Sequence, residues 1–161
     1  MRVKFPVGLD AVKAYYGDPK DFILLDGGVD SGWERTMLGY VYLPTPITLG
    51  WNPAVNVTRI RIHQKLVNSL TNVFNRIHVG GHWTQLKSFD GTYSWRPKRT
   101  SQRLSLHCWG AAIDLNAGSN PLGGLGDMPW AIIDCFNKEG WEWGGEWKYA
   151  DPMHFQAASG Y

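Results

Sequence analysis

Four side chains in the second half of the chain have the types and spacing for metal-assisted hydrolysis. His107 opens the segment His-Cys-Trp-Gly-Ala-Ala-Ile-Asp that ends at Asp114, and Asp151 and His154 stand three apart in Asp-Pro-Met-His. Residues 111–115 are small and apolar enough for a buried strand, and an acid there is costly unless it is paired or bound to a metal. In a strand, Ala112, Asp114 and Asn116 share one face and Ala111, Ile113 and Leu115 the other. Gly110 lets the chain bend so that the His107 imidazole swings back over the Asp114 face. One carboxylate and two imidazoles, from Asp114, His107 and His154, are the three-ligand set of a catalytic zinc site that keeps a fourth position for water. Such donors suit zinc better than magnesium or calcium, which take oxygen shells. Asp151 then becomes the general base for the attacking water. The plainer alternatives are a turn or helix-cap aspartate before Pro152 and a packed core histidine at 154.

The other histidines offer less. His63 reads as a surface or satisfied structural residue on the polar side of a long helix. His78 and His82 flank Gly80-Gly81 with no carboxylate at ligand spacing. The sequence has no HExxH, CxxC, GxSxG or Walker loop, and the glycines at 123, 124 and 126 lack the rest of a dinucleotide fingerprint.

These groups need elements to hold them. Residues 8–16 read as a short helix ended by Gly17, and residues 21–54 as loops and short strands. Leu38, Tyr40, Tyr42 and Leu43 look strand-like, with Pro44 and Pro46 closing the run. An apolar stripe of Ile62, Leu66, Leu70, Val73, Phe74 and Ile77 predicts a helix over 58–77, stopped by Gly80 and Gly81. Asp90-Gly91 reads as a turn. A second long helix is expected over 129–138, capped by Asp127 and stopped by Gly140, followed by a strand at 141–143. The mixture predicts an α+β fold, with helices packed on a small antiparallel sheet.

The chain has 161 residues, 43% of them hydrophobic and 19% charged, which is globular composition and one domain over 1–161. A net charge of +2 with no basic run gives no argument for nucleic acid. Cys108 and Cys135 read as free thiols. Nine tryptophans point to a wide aromatic-lined surface or groove. No stretch approaches 18 apolar residues, so no stable membrane insertion is expected, and the MRVKFPVGLDAV terminus has no apolar region of a secretory signal.

Ser-Leu-His-Cys-Trp-Gly-Ala-Ala-Ile-Asp at 105–114 resembles the S-x-H-x-x-G-x-A-x-D signature of the D-alanyl-D-alanine carboxypeptidases, peptidase family M15. Glu-Trp-Gly-Gly-Glu-Trp at 142–147, followed by Asp-Pro-Met-His-Phe at 151–155, resembles the second signature of its VanY and phage-endolysin branch. Phe-Asp-Gly-Thr-Tyr-Ser-Trp-Arg at 89–96 is similar to the segment that supplies that branch with an arginine. The resemblance implies zinc held by His107, Asp114 and His154, with Asp151 as catalytic base. It implies Arg96 as the group that stabilises the developing oxyanion; the neighbouring Arg99 and Arg103 are the alternatives for that role and otherwise read as solvated surface arginines. Ser105 would help bind the substrate backbone, with a turn serine as the alternative, and Glu146 and Trp147 also match the branch. The implied fold is the small α+β fold of D,D-peptidases and Hedgehog signalling domains. The implied substrate is the stem peptide of peptidoglycan.

An aspartate at 151 and the missing export signal together predict a phage lysis enzyme. It would be monomeric, made in the host cytoplasm, released by a separate membrane-permeabilising protein, and would cut the L-alanyl–D-glutamate bond in the periplasm. The rivals are a D-alanyl-D-alanine carboxypeptidase of the same fold, a non-catalytic zinc-stabilised binding domain and a metal-free structural protein.

Overall fold

In the computed structural model, which describes residues 4–95 and 103–161, the chain between residues 38 and 63 is a long hairpin. Strand β1 (Leu38–Leu49) pairs antiparallel with β2 (Asn52–His63), Leu38 lying opposite His63 and Tyr42 opposite Arg59. The expected helix over 58–77 is therefore only half right: helix α3 covers Val67–Val79, after a 3-10 turn at Gln64–Leu66. The reason is a change of period. Buried Ile60 and Ile62 alternate with the more exposed Arg59 and Arg61, and β-branched residues favour a pleated strand. Ile62 and Leu66 are both fully buried, so they extend the helical stripe of Leu70, Val73, Phe74 and Ile77 by coincidence.

Pro44 and Pro46 do not close β1. They sit where the β1–β2 register shifts between Tyr42 and Ile47, a place where a missing backbone N–H breaks no ladder bond. Before the hairpin lie helix α1 (Leu9–Tyr16), as expected, and an unforeseen helix α2 (Ser31–Met37). The Asp30 side chain caps α2 by accepting from the Gly32 and Trp33 amides.

The sheet has six strands in the order β2-β1-β3-β4-β6-β5. β3 (Phe89–Gly91) joins β1 through one parallel pair, Leu49 with Phe89, so the sheet is antiparallel but for that pair. β4 (Ala112–Leu115) runs antiparallel to β3 and to β6 (His154–Gln156), and β5 (Glu142–Trp143) forms the far edge. Asp90-Gly91 thus belongs to a strand rather than a turn. The Asp90 carboxylate accepts from Ser88 Oγ (2.7 Å) and the Ala117 amide (3.0 Å), and ties the loop after β4 back to β3.

Helix α4 (Trp130–Lys138) begins at Pro129 without a side-chain cap. Asp127 is engaged elsewhere, accepting from Ser119 Oγ (2.6 Å) and Asn120 Nδ2 (2.9 Å). Phe136 of α4 stacks on Phe155 of β6 at 4.0 Å, and the Trp141 indole donates to Ser69 Oγ of α3 (2.9 Å). Trp109 is also fully buried, its indole N–H donating to the Gly17 carbonyl (2.8 Å). Trp109 and Trp141 are therefore core residues, Trp51 and Trp130 are exposed, and Trp147 lines the cavity over His107, Asp114 and His154. His63 is fully buried at the end of β2, its Nδ1 accepting from the Lys65 amide (3.2 Å) and its ring packed edge-on against Tyr16. It is a structural histidine, but not one on a helix's polar side. Both cysteines are buried thiols outside any disulfide, and among the described residues no helix is long and apolar enough to cross a membrane.

Candidate metal centre

His107 sits on a 3-10 turn, Leu106–Trp109, that packs against the sheet. Ser105 opens the turn, its Oγ accepting from the His107 amide (3.3 Å). Gly110 closes it in the left-handed region at φ 63, ψ 33 and leads into β4. A Cβ at Gly110 would lie 3.0 Å from the His63 amide nitrogen, so glycine is needed for both conformation and space. The bend expected at Gly110 is the one that returns the imidazole over β4.

Register supplies the other two groups. Asp114 on β4 lies directly opposite His154 on β6, so the two side chains leave the same face of the sheet. His107 Nε2 is 3.2 Å from Asp114 Oδ1 and 3.2 Å from His154 Nδ1, and His154 Nδ1 is 3.0 Å from Asp114 Oδ1. Three donors about 2.0–2.1 Å from a tetrahedral centre stand about 3.3–3.4 Å apart, so this triangle fits zinc with slight expansion. All three residues are buried, and among the described residues they are the one His/Cys/Asp/Glu group compact enough to hold an ion. His78 and His82 take no part; the His78 ring packs against Trp83.

Electrostatics agree with the donor set. Burial works to raise the Asp114 pKa, but the charge and hydrogen bond of His107, with those of His154, hold it well below the usual carboxylate range. Burial works to lower His154, yet its hydrogen bond and attraction to Asp114, with the charge of Asp151, leave it raised. The His107 Nδ1–H donates to the Thr92 carbonyl (2.5 Å), which frees Nε2 for a cation.

The triangle forms the floor of a cavity of about 330 Å³. Ser105 and Asp151 line it too, and Leu122, Trp147, Tyr149 and Tyr161 build its walls. Asp151 is held by a tight turn: its amide donates to the Gly144 carbonyl (2.9 Å), and its own carbonyl accepts from the His154 amide (3.0 Å). The Trp147 ring lies 5.3 Å from the His154 ring, fixed by an N–H donated to Glu142 Oε1. Ser105 proves to be both the turn serine and a cavity residue. Glu146 is exposed and Arg103 is exposed, and neither lines the cavity. Arg96 and Arg99 lie outside the described residues. The sequence reading missed the Thr92 carbonyl, which a backbone role hides, and Gln156, which its place two residues along the strand from His154 does signal.

A buried His–Asp–His triangle, open to a cavity with a further carboxylate on its wall, could hold a metal ion beside a proton acceptor. Residues 98–157 match the family model described as D-alanyl-D-alanine carboxypeptidase, a stretch that contains all three triangle residues, and the match supports the resemblance to the M15 peptidases. No curated protein and no solved structure gives a significant match to the chain.

Proposed function

We propose that the chain is a zinc-dependent peptidoglycan peptidase of the phage-endolysin kind, cutting the L-alanyl–D-glutamate bond of stem peptides. The observation that carries the metal chemistry is the 3.0–3.2 Å triangle of His107 Nε2, Asp114 Oδ1 and His154 Nδ1 at the floor of a cavity that Asp151 also lines. The endolysin reading rests on the likeness of residues 142–155 to that branch and on aspartate at 151.

His107, Asp114 and His154 would hold the metal, two neutral donors and one anion leaving the site a net positive charge. Zinc, when bound, supplies Lewis acidity and brings the pKa of water down to roughly 7. Asp151, on the cavity wall, takes the proton from the attacking water and returns it to the departing amine. Ser105 Oγ accepts the His107 amide through one lone pair, and its O–H is left to donate to the substrate backbone. Arg96 supplies a fixed cation for the oxyanion, since guanidinium stays charged at any working pH. The enzyme acts as a monomer on the wall after release by a separate membrane-permeabilising protein.

A second reading, cleavage of the terminal D-alanyl-D-alanine bond, is favoured by the description of the matching family model. Digestion of purified muropeptides, with mass analysis of the products, separates the two. New L-alanine carboxyl ends support the endopeptidase; release of free D-alanine overturns it in favour of the carboxypeptidase. One zinc per chain in the active protein is expected from metal analysis, and an active protein without metal would sink both.

A further inference from the structure

We propose that Gln156 is a positioning residue that commits His154 to metal ligation through Nδ1, by accepting the hydrogen on Nε2. This rests on the zinc-site reading above.

A glutamine amide can present either its oxygen or its NH2 group to a neighbour, and a neutral imidazole can carry its hydrogen on either nitrogen. Here one contact fixes both choices. Gln156 Nε2 lies 3.1 Å from the Ala158 carbonyl oxygen, and a carbonyl only accepts. The NH2 group must therefore face Ala158, which turns Oε1 toward His154. Oε1 is 3.2 Å from His154 Nε2, and an amide oxygen also only accepts, so Nε2 carries the hydrogen. The lone pair of the neutral ring is left on Nδ1. That atom is the one 3.0 Å from Asp114 Oδ1 and 3.2 Å from His107 Nε2.

The two imidazoles thus offer opposite nitrogens, and each is oriented by an acceptor behind it. For His107 the acceptor is the Thr92 main-chain carbonyl, which no side-chain substitution removes. For His154 it is a side chain, so the tautomer is written into residue 156. Gln156 is 2% exposed and follows His154 by two on β6, which puts both on one strand face. At that burial bulk water does not compete for the Nε2 hydrogen.

The direct test is long-range 15N–1H correlation of the histidine rings in the zinc-loaded wild-type protein. His154 is expected with Nε2 protonated and Nδ1 at a metal-bound shift, and His107 with the reverse. Zinc bound with His154 protonated at Nδ1 would overturn the inference while leaving the proposed function standing. Failure of the wild type to bind zinc would overturn that function, and this inference with it. Two variants add a second readout. Gln156→Leu should weaken zinc binding, measured by chelator competition, by roughly 10–100-fold. Gln156→Glu keeps the acceptor and should stay within a few-fold of wild type. Equal affinity in Gln156→Leu and wild type would count against the assignment. If the leucine variant does not fold, the wild-type ring spectra decide alone.

Discussion

Asp114 and His154 face each other across adjacent antiparallel strands, with Asp114 Oδ1 3.0 Å from His154 Nδ1. Direct opposition in register is the shortest lateral separation a sheet offers, so two of the three donors are fixed by the fold's hydrogen-bond ladder rather than by loops. The third, His107, depends on a turn. That asymmetry shapes what each substitution should do.

Removing the metal should expose its contribution to stability. A ligand present at about 1,000 times its Kd stabilises the folded state by roughly 4 kcal/mol. For a chain of this size that is roughly 10 °C in Tm. Chelation of the wild type should lower Tm by about that much, and zinc should restore it. Asp114→Asn should start near the chelated value and respond to neither treatment. A Tm indifferent to zinc in the wild type would contradict the site.

Asp151→Asn keeps the size of the side chain and its place in the turn but cannot accept a proton. Zinc content and Tm should stay at wild-type values while turnover falls about 10²–10⁴-fold. Loss of zinc would make Asp151 a ligand instead of a base. Activity near wild type would put the base elsewhere, and Glu146 is a poor substitute because it does not line the cavity.

The donors were legible in the sequence because burial makes them conspicuous. Asp114 is an acid inside Ala-Ala-Ile-Asp-Leu, and all four residues of β4 are buried as that run predicts. Gly110 also announced the bend it makes. The first strand of the hairpin was partly legible in Leu38, Tyr40, Tyr42 and Leu43, but the second was not, because Ile62 near its end lies at the phase where Leu66 and Leu70 begin a helical stripe. Helix α2 was hidden for a different reason. It buries no residue fully, so there is no apolar stripe to read, and Gly32 lowers its propensity; only the Asp30 cap marks it. The tautomers of the two histidines depend on acceptors at Thr92 and Gln156. The first is a main-chain atom 15 residues from its partner, which residue identity cannot signal.

His63 should make stability fall in mild acid. Burial, above all, pulls its pKa from 6.5 to about 4; the Lys65 ammonium adds to this and the Tyr16 carbonyl opposes it. Between those values the unfolded chain binds a proton that the folded chain refuses, so stability is complete above about pH 6.5 and is lost as pH falls toward 4. The gap corresponds to on the order of 3 kcal/mol at roughly 1.4 kcal/mol per pH unit. His63→Asn retains an acceptor for the Lys65 amide and cannot titrate. Urea unfolding of both proteins between pH 4 and 7.5, with chelator present, isolates the effect, because the metal-site groups titrate in both. The difference in unfolding free energy should change steadily across that window. A constant difference would remove His63 as the cause.

Gly110 tests how far the third donor depends on its turn. Alanine there must adopt φ 63, which costs roughly 1–2 kcal/mol in the left-handed region. Its Cβ would also stand 3.0 Å from the His63 amide nitrogen and 3.1 Å from Leu38 Cδ2, so the turn must shift as well as strain. Because His107 lies on that turn while Asp114 and His154 lie in the sheet, the shift moves one donor relative to two fixed ones. Gly110→Ala should therefore lower Tm in the presence of chelator and also weaken zinc binding. Gly110→Asn separates the causes: asparagine tolerates the left-handed region better but carries the same Cβ. If crowding moves His107, both variants should lose zinc affinity to a similar extent, with asparagine the more stable of the two when metal-free. Recovery of full zinc affinity in Gly110→Asn would assign the effect to dihedral strain alone. Unchanged affinity in both would mean that the turn does not set the position of His107.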